Sequence, residues 1–206
     1  MKTERRNRYA RFCGLAAPGL FVVAATICGA MLEGYSHREH PLALLGAVGV
    51  PRALAFNVFA YVLPGLSVAV VFWTMRSVLP ATAGWPLRIG TQLAALSALA
   101  FAAQGLLPLD PDDPAGQANA LHALAWTVWW IAFAAAGVLL TFGGPSRGFG
   151  WATAVSLVAT LALTLPPWPG AMAAFAPRLA FVVWFVWVLR SSREIPIDQE
   201  APLSRA

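Results

Sequence analysis

Long apolar blocks separated by short polar or basic segments organise the chain, and six of them reach the roughly 17–25 residues that one bilayer crossing needs. They lie at about 13–32, 53–75, 87–108, 120–142, 149–166 and 172–189. Apolar residues fill each block instead of alternating with polar ones, which predicts helices rather than barrel strands, the only two structures that satisfy their backbone within lipid. The expected fold is all-α. Residues 1–190 form an integral membrane bundle of six transmembrane helices, and residues 191–206, with Pro196, Pro202 and no apolar helical face, form a short disordered cytoplasmic tail.

Charge orients this bundle. Lys2, Arg5, Arg6, Arg8, Arg11, Arg76, Arg88, Arg147, Arg190, Arg193 and Arg205 fall on one side of the six crossings, and only Arg38, Arg52 and Arg178 lie toward the other. Short basic loops stay in the cytoplasm, so both termini are expected there. A composition of 59% hydrophobic and 11% charged residues leaves no segment for a separate soluble core. The net charge of +5 does not argue for nucleic acid, because the basic residues sit beside span ends, where the inside-positive bias accounts for them.

The first block runs about 20 residues, beyond the ~7–15 of a signal sequence, and is expected to remain as a span. Cys13 and Cys28 both lie on it, about 22 Å apart at helical rise, which excludes a disulfide between them.

Marks within the spans refine the packing. Pro18-Gly19 and Pro64-Gly65 are kink candidates, and Gly90, Ala94, Ala98 and Ala102 form a small-residue ridge that admits a neighbouring helix closely. Trp73, Trp85, Trp151, Trp184 and Trp187 fall near cytoplasmic ends and Trp168 near the opposite boundary, as interfacial anchors do. Trp126, Trp129 and Trp130 lie deeper and are expected to pack against core or lipid, with an acyl or isoprenoid groove as the alternative.

Candidate chemistry gathers at the outward ends. No Asp, Glu, Lys or His stands near the middle of any span, which weighs against a proton-coupled transporter. All three histidines, five of the nine acids and two of the three amides within spans face the outer compartment. The ligand-binding candidates are Tyr35, Ser36, Asn57, Gln104, Asp110, His122 and Arg178. His37, His40, Asp110 and His122 supply the nitrogen and oxygen donors that a zinc-like ion takes. The competing reading is a set of solvated loop groups, with Asp110-Pro111 and Asp113-Pro114 forming turns. Arg178, drawn inside the last span, either snorkels to the outer headgroups or holds a phosphate or carboxylate in bidentate fashion. Adjacent Ser36 and His37 do not have the geometry of a nucleophile and its base, and the spans hold one histidine where bis-histidine haem ligation needs two.

Gly34-Tyr35-Ser36-His37, Leu45-Gly46-Ala47, Pro51, Phe56-Asn57, Leu107-Pro108-Leu109-Asp110 and Leu121-His122 follow one another in an order and spacing that resemble the bacterial multi-pass membrane family of domain of unknown function 998. The likeness runs from the first span to the sixth. Members of that family usually carry an Ile-Ser-Glu-Leu-Gly-like string where this chain has Leu42-Ala43-Leu44-Leu45-Gly46, without the serine and the acid. Tyr35, Ser36, Gly46, Asn57, Asp110 and His122 match the family pattern, which implies a topology and no established catalytic role. A looser similarity is to membrane hydrolases such as the alkaline ceramidases, whose late His-x-x-x-His helix this chain lacks.

These readings predict a protein of the bacterial cytoplasmic (inner) membrane with an extracytoplasmic-facing polar pocket built from His37, His40, Asn57, Asp110 and His122. Its expected role is to bind a lipid headgroup, a cation or a partner protein, with membrane lipids as its surroundings and no cofactor. The alternatives are a metal-dependent membrane lipid hydrolase, using zinc, and a small-molecule transporter.

Overall fold

The computed structural model describes residues 2–195. Six long helices follow in chain order: α1 (Lys2–Met31), α2 (Ala53–Ser77), α3 (Trp85–Leu106), α4 (Gln117–Gly143), α5 (Arg147–Thr164) and α6 (Ala171–Ser192). No strand occurs among the described residues. Five of the helices are long and apolar enough to cross a membrane; α5, at 18 residues, is the exception. All six predicted blocks coincide with a helix. The first helix starts earlier than its apolar block, with the Glu4–Arg8 pair at 2.6 Å, four residues apart on one helical face, supporting the added turns.

Each helix packs on its neighbours in sequence, and α6 returns to α1, so the bundle closes into a ring. Arg11 near the start of α1 donates to the carbonyl oxygens of Ile195 at 2.8 Å and Arg193 at 3.0 Å, which brings the first turns and the last together at one end. The expected tail from residue 191 therefore starts as structure: α6 continues to Ser192 and Ile195 is buried, while residues 196–206 lie outside the described residues.

Lipid tails are as apolar as leucine, so helices in a bilayer are held by close packing and interhelical hydrogen bonds rather than by escape from water. An aromatic cluster supplies the first. Phe101 of α3 sits at its centre, with ring centroids 4.9 Å from Phe181, 5.0 Å from Trp184, 5.3 Å from Tyr61, 6.2 Å from Phe21 and 6.5 Å from Trp129. Five helices thus meet at one ring. Trp184 and Trp187, expected as interfacial anchors, are 0% and 1% exposed, because α6 closes the ring and turns its aromatic face inward. Trp187 donates to Thr153 Oγ1 at 3.0 Å and so fastens α5, and Ser97 donates to the Trp129 carbonyl at 2.9 Å between α3 and α4. Trp73, Trp85 and Trp151 stay exposed.

The small ridge of α3 is used within the chain. A Cβ at Gly90 would come 2.7 Å from Leu140 of α4, and one at Gly65 of α2 would come 2.6 Å from the backbone nitrogen of Ala102. Pro64 shapes the same contact: lacking an N–H, it leaves the Ala60 carbonyl without its helical partner, and the helix widens into a π turn over Asn57–Val62. Leu63 N–H reaches back to the Val58 carbonyl there.

Backbone cannot yield at Gly65 as a flexible side chain would. Gly65→Ala is expected to lower stability in thermal unfolding of detergent-solubilised protein by about 1–3 kcal/mol, whereas Gly19→Ala, which meets nothing within 4 Å, leaves it unchanged or slightly raised.

Candidate functional site

The end of the bundle opposite Arg11 and Ile195 carries the residues that the sequence singles out. Between α1 and α2 the chain turns at Gly34, whose φ of +75° favours a residue without a Cβ, and then folds back on itself. Ser36 N–H donates to His40 Nδ1 at 3.0 Å, so that nitrogen is unprotonated and the His40 proton resides on Nε2. Ser36 Oγ accepts from Arg38 N–H at 3.3 Å. The Tyr35 ring lies between the two histidines, edge-on to His37 at 5.0 Å and stacked on His40 at 5.7 Å, and His37 fits against Gly29, where a Cβ would collide with its Nε2.

Arg178 of α6 holds this turn. Its Nη2 donates to Tyr35 Oη and to the His40 carbonyl, both at 2.7 Å, and its Nη1 donates to the Ala174 carbonyl. Neither reading of Arg178 from sequence describes this: the guanidinium faces protein acceptors, not headgroups, and its buried Nε has no partner. Burial raises the Tyr35 hydroxyl above its ordinary pKa, with Arg178 pulling the other way. Burial lowers His37 and the Arg178 charge adds to the effect, so the neutral imidazole is favoured.

The other candidates serve the loops. Asn57 Nδ2 donates to the Gly46 carbonyl at 2.8 Å, and Gly46 admits no Cβ because the Asn57 amide occupies its place. This pair docks the short 3-10 turn Leu42–Gly46 on α2. Asp110 Oδ1 accepts from Asp112 N–H at 3.0 Å in an Asx turn, and Asn119, absent from the sequence candidates, ties that loop by accepting from Asp110 N–H at 2.9 Å and donating to the carbonyls of Asp110 and Asp113. Val48 N–H donates to the Leu109 carbonyl at 2.8 Å and joins the loop after α1 to the loop after α3.

His122 turns its Nδ1 to the Leu107 carbonyl at 2.7 Å, just past the end of α3, where helical carbonyls lack partners. A carbonyl only accepts, so Nδ1 carries the proton and Nε2 is left as an acceptor. The proposed metal ligands therefore separate. His37 and His40 flank Tyr35, His122 caps α3 and Asp110 closes its own turn; no group of three or more His, Cys, Asp or Glu fit for a metal ion exists among the described residues.

What does converge is a groove. A cavity of about 270 Å³ opens between α4 and α6 beneath Pro41, Leu42 and Ala43. Its walls are apolar, from Leu109, Ala123, Trp126, Ala173, Pro177 and Phe181, and its polar groups are Tyr61, Gln104 and His122. Gln104 is 1% exposed and its Nε2 has no hydrogen-bond partner. Tyr61 is the one tyrosine within the predicted span 53–75, a signal that a polar tip is buried there.

The His37 environment sets a pH dependence. A histidine whose folded pKa is depressed contributes stability that is full above its unfolded value, 6.5, and is lost as pH falls through the folded one. Protection from hydrogen exchange over residues 33–41, taken relative to the intrinsic exchange rate at each pH, is expected to fall as pH drops from about 7.5 to about 5, and His37→Gln to flatten that response.

No curated protein and no solved structure matches the chain. Residues 15–192, from within the first helix to the end of the last, match the family described as protein of unknown function (DUF998), and the chain belongs to that family.

Proposed function

We propose that this protein spans a bacterial cytoplasmic membrane six times and uses the outward groove to bind a single membrane amphiphile by a hydroxyl-bearing head. The observation that carries this reading is the Gln104 amide, a buried donor without a partner on a residue that lines an apolar cavity. Such a group costs about 1–3 kcal/mol while it stays unpaired. Turned toward the groove, the Gln104 amide donates its Nε2–H to a ligand hydroxyl, which in turn donates to His122 Nε2. The attached chain lies against Trp126, Pro177 and Phe181, matching the general form of small-molecule sites: apolar walls with a few placed polar groups.

Two observations support the six crossings. Helix α5 runs about 27 Å, close to the ~30 Å of bilayer hydrocarbon, and it starts beside the end of α4 at Arg147 and packs on both α4 and α6. Eleven of the fourteen Lys and Arg residues belong to the end where Arg11 meets Ile195 or to the segment beyond it, which supports a cytoplasmic placement of that end and an outward groove.

Wild-type protein purified from membranes is expected to retain a hydroxyl-bearing lipid near one per chain by mass spectrometry, and Gln104→Leu to reduce it about tenfold or more without loss of thermal stability. Equal retention by both forms contradicts the reading. For orientation, an Asp113→Cys variant is expected to react with a membrane-impermeant maleimide added outside intact spheroplasts; reaction only after lysis reverses the topology.

A further inference from the structure

A second cavity, of about 290 Å³, opens on a different face of the bundle, between α1 and α2. Val23, Ile27 and Met31 of α1 and Ala55 and Phe59 of α2 line it, and its one charged residue is Arg52. Apart from Ala55, these apolar residues are about half exposed, on a face that lipid must cover. Arg52 precedes α2 in a left-handed conformation, φ 64°, the only non-glycine with positive φ among the described residues. Its side chain makes no hydrogen bond or ion pair with the described protein.

We infer that this groove holds one acyl chain of an anionic phospholipid, with the lipid phosphate on the Arg52 guanidinium. Charge complementarity selects the occupant. An arginine at the hydrocarbon boundary needs an anion or water, and the other residues that line this cavity are apolar. Its planar fork matches two phosphate oxygens, and the positive end of α2, which begins at the next residue, adds the same sign. Arg178, by contrast, turns its Nη1 and Nη2 donors to Tyr35, His40 and Ala174 and keeps its Nε buried. The two cavities share no lining residue, so the phospholipid site stands apart from the groove over Gln104.

The test uses the full chain in nanodiscs of phosphatidylcholine with phosphatidylglycerol, released in native mass spectrometry to read which lipid stays bound. Wild type is expected to retain phosphatidylglycerol over phosphatidylcholine, and Arg52→Gln to lower that preference about fivefold. Arg52→Gly removes the charge while suiting the left-handed backbone, so it keeps the fold and gives the same loss. Gln104→Leu leaves the preference untouched. An unchanged preference in both Arg52 variants overturns the inference and leaves these lipids as ordinary annular ones, as does a wild type that shows no preference.

Discussion

The end of this protein opposite its termini depends on one cation. Arg178 stands about 10 Å along α6 from its first residue, and its guanidinium is held by Tyr35 Oη and the His40 carbonyl from a segment more than a hundred residues earlier in the chain. That bond fixes the turn after α1 against the last helix. Because His40 is fixed, Pro41, Leu42 and Ala43 lie over the space between α4 and α6 and convert an open crevice into a roofed groove. An arginine that reached out to headgroups would leave that turn unsupported.

A second tie sets the other edge of the roof. Asn57 and Gly46 hold the 3-10 turn to α2 through a hydrogen bond that leaves no room for a Cβ, and Asn57 opens the π turn that Pro64 imposes. Several family-pattern residues thereby acquire a physical meaning. Tyr35 accepts the arginine, Ser36 closes the turn, Gly46 and Asn57 dock it, Asp110 builds the second loop and His122 caps α3. They are joints of this end of the bundle, and the groove is what the joints enclose.

The sequence shows the helices plainly because each apolar block is longer than any loop core could be, and helix ends follow from where Gly, Pro and charge interrupt it. Gly34, Gly84 and Ser146 stand at or near such ends in the structure. Helix neighbours are less legible. Trp184 and Trp187 look like anchors when only distance from a span end is counted, and nothing local reveals that α6 closes the ring between α1 and α5. The small ridge of α3 was readable as close packing, since Gly and Ala at every fourth position have few other uses, but its partners, α2 and α4, were not.

The candidate site divides in the same way. That polar groups converge on the end opposite the termini follows from the order of the spans, and Gln104, His122 and Arg178 were all visible as polar residues inside apolar spans. Their pairing was hidden, because hydrogen bonds over 15 residues in one case and 143 in another depend on the closed ring. The central claim is that an amphiphile occupies the groove beneath the turn that Arg178 holds. Photolabelling in membranes with a hydroxyl-headed, diazirine-tailed lipid, mapped by peptide mass spectrometry, tests it most directly. Labels concentrated on Ala123, Trp126 and Phe181, and dispersed by Arg178→Gln, are the predicted result; labels spread equally over the exposed Leu54, Val155 and Val158 in the unaltered protein would contradict it.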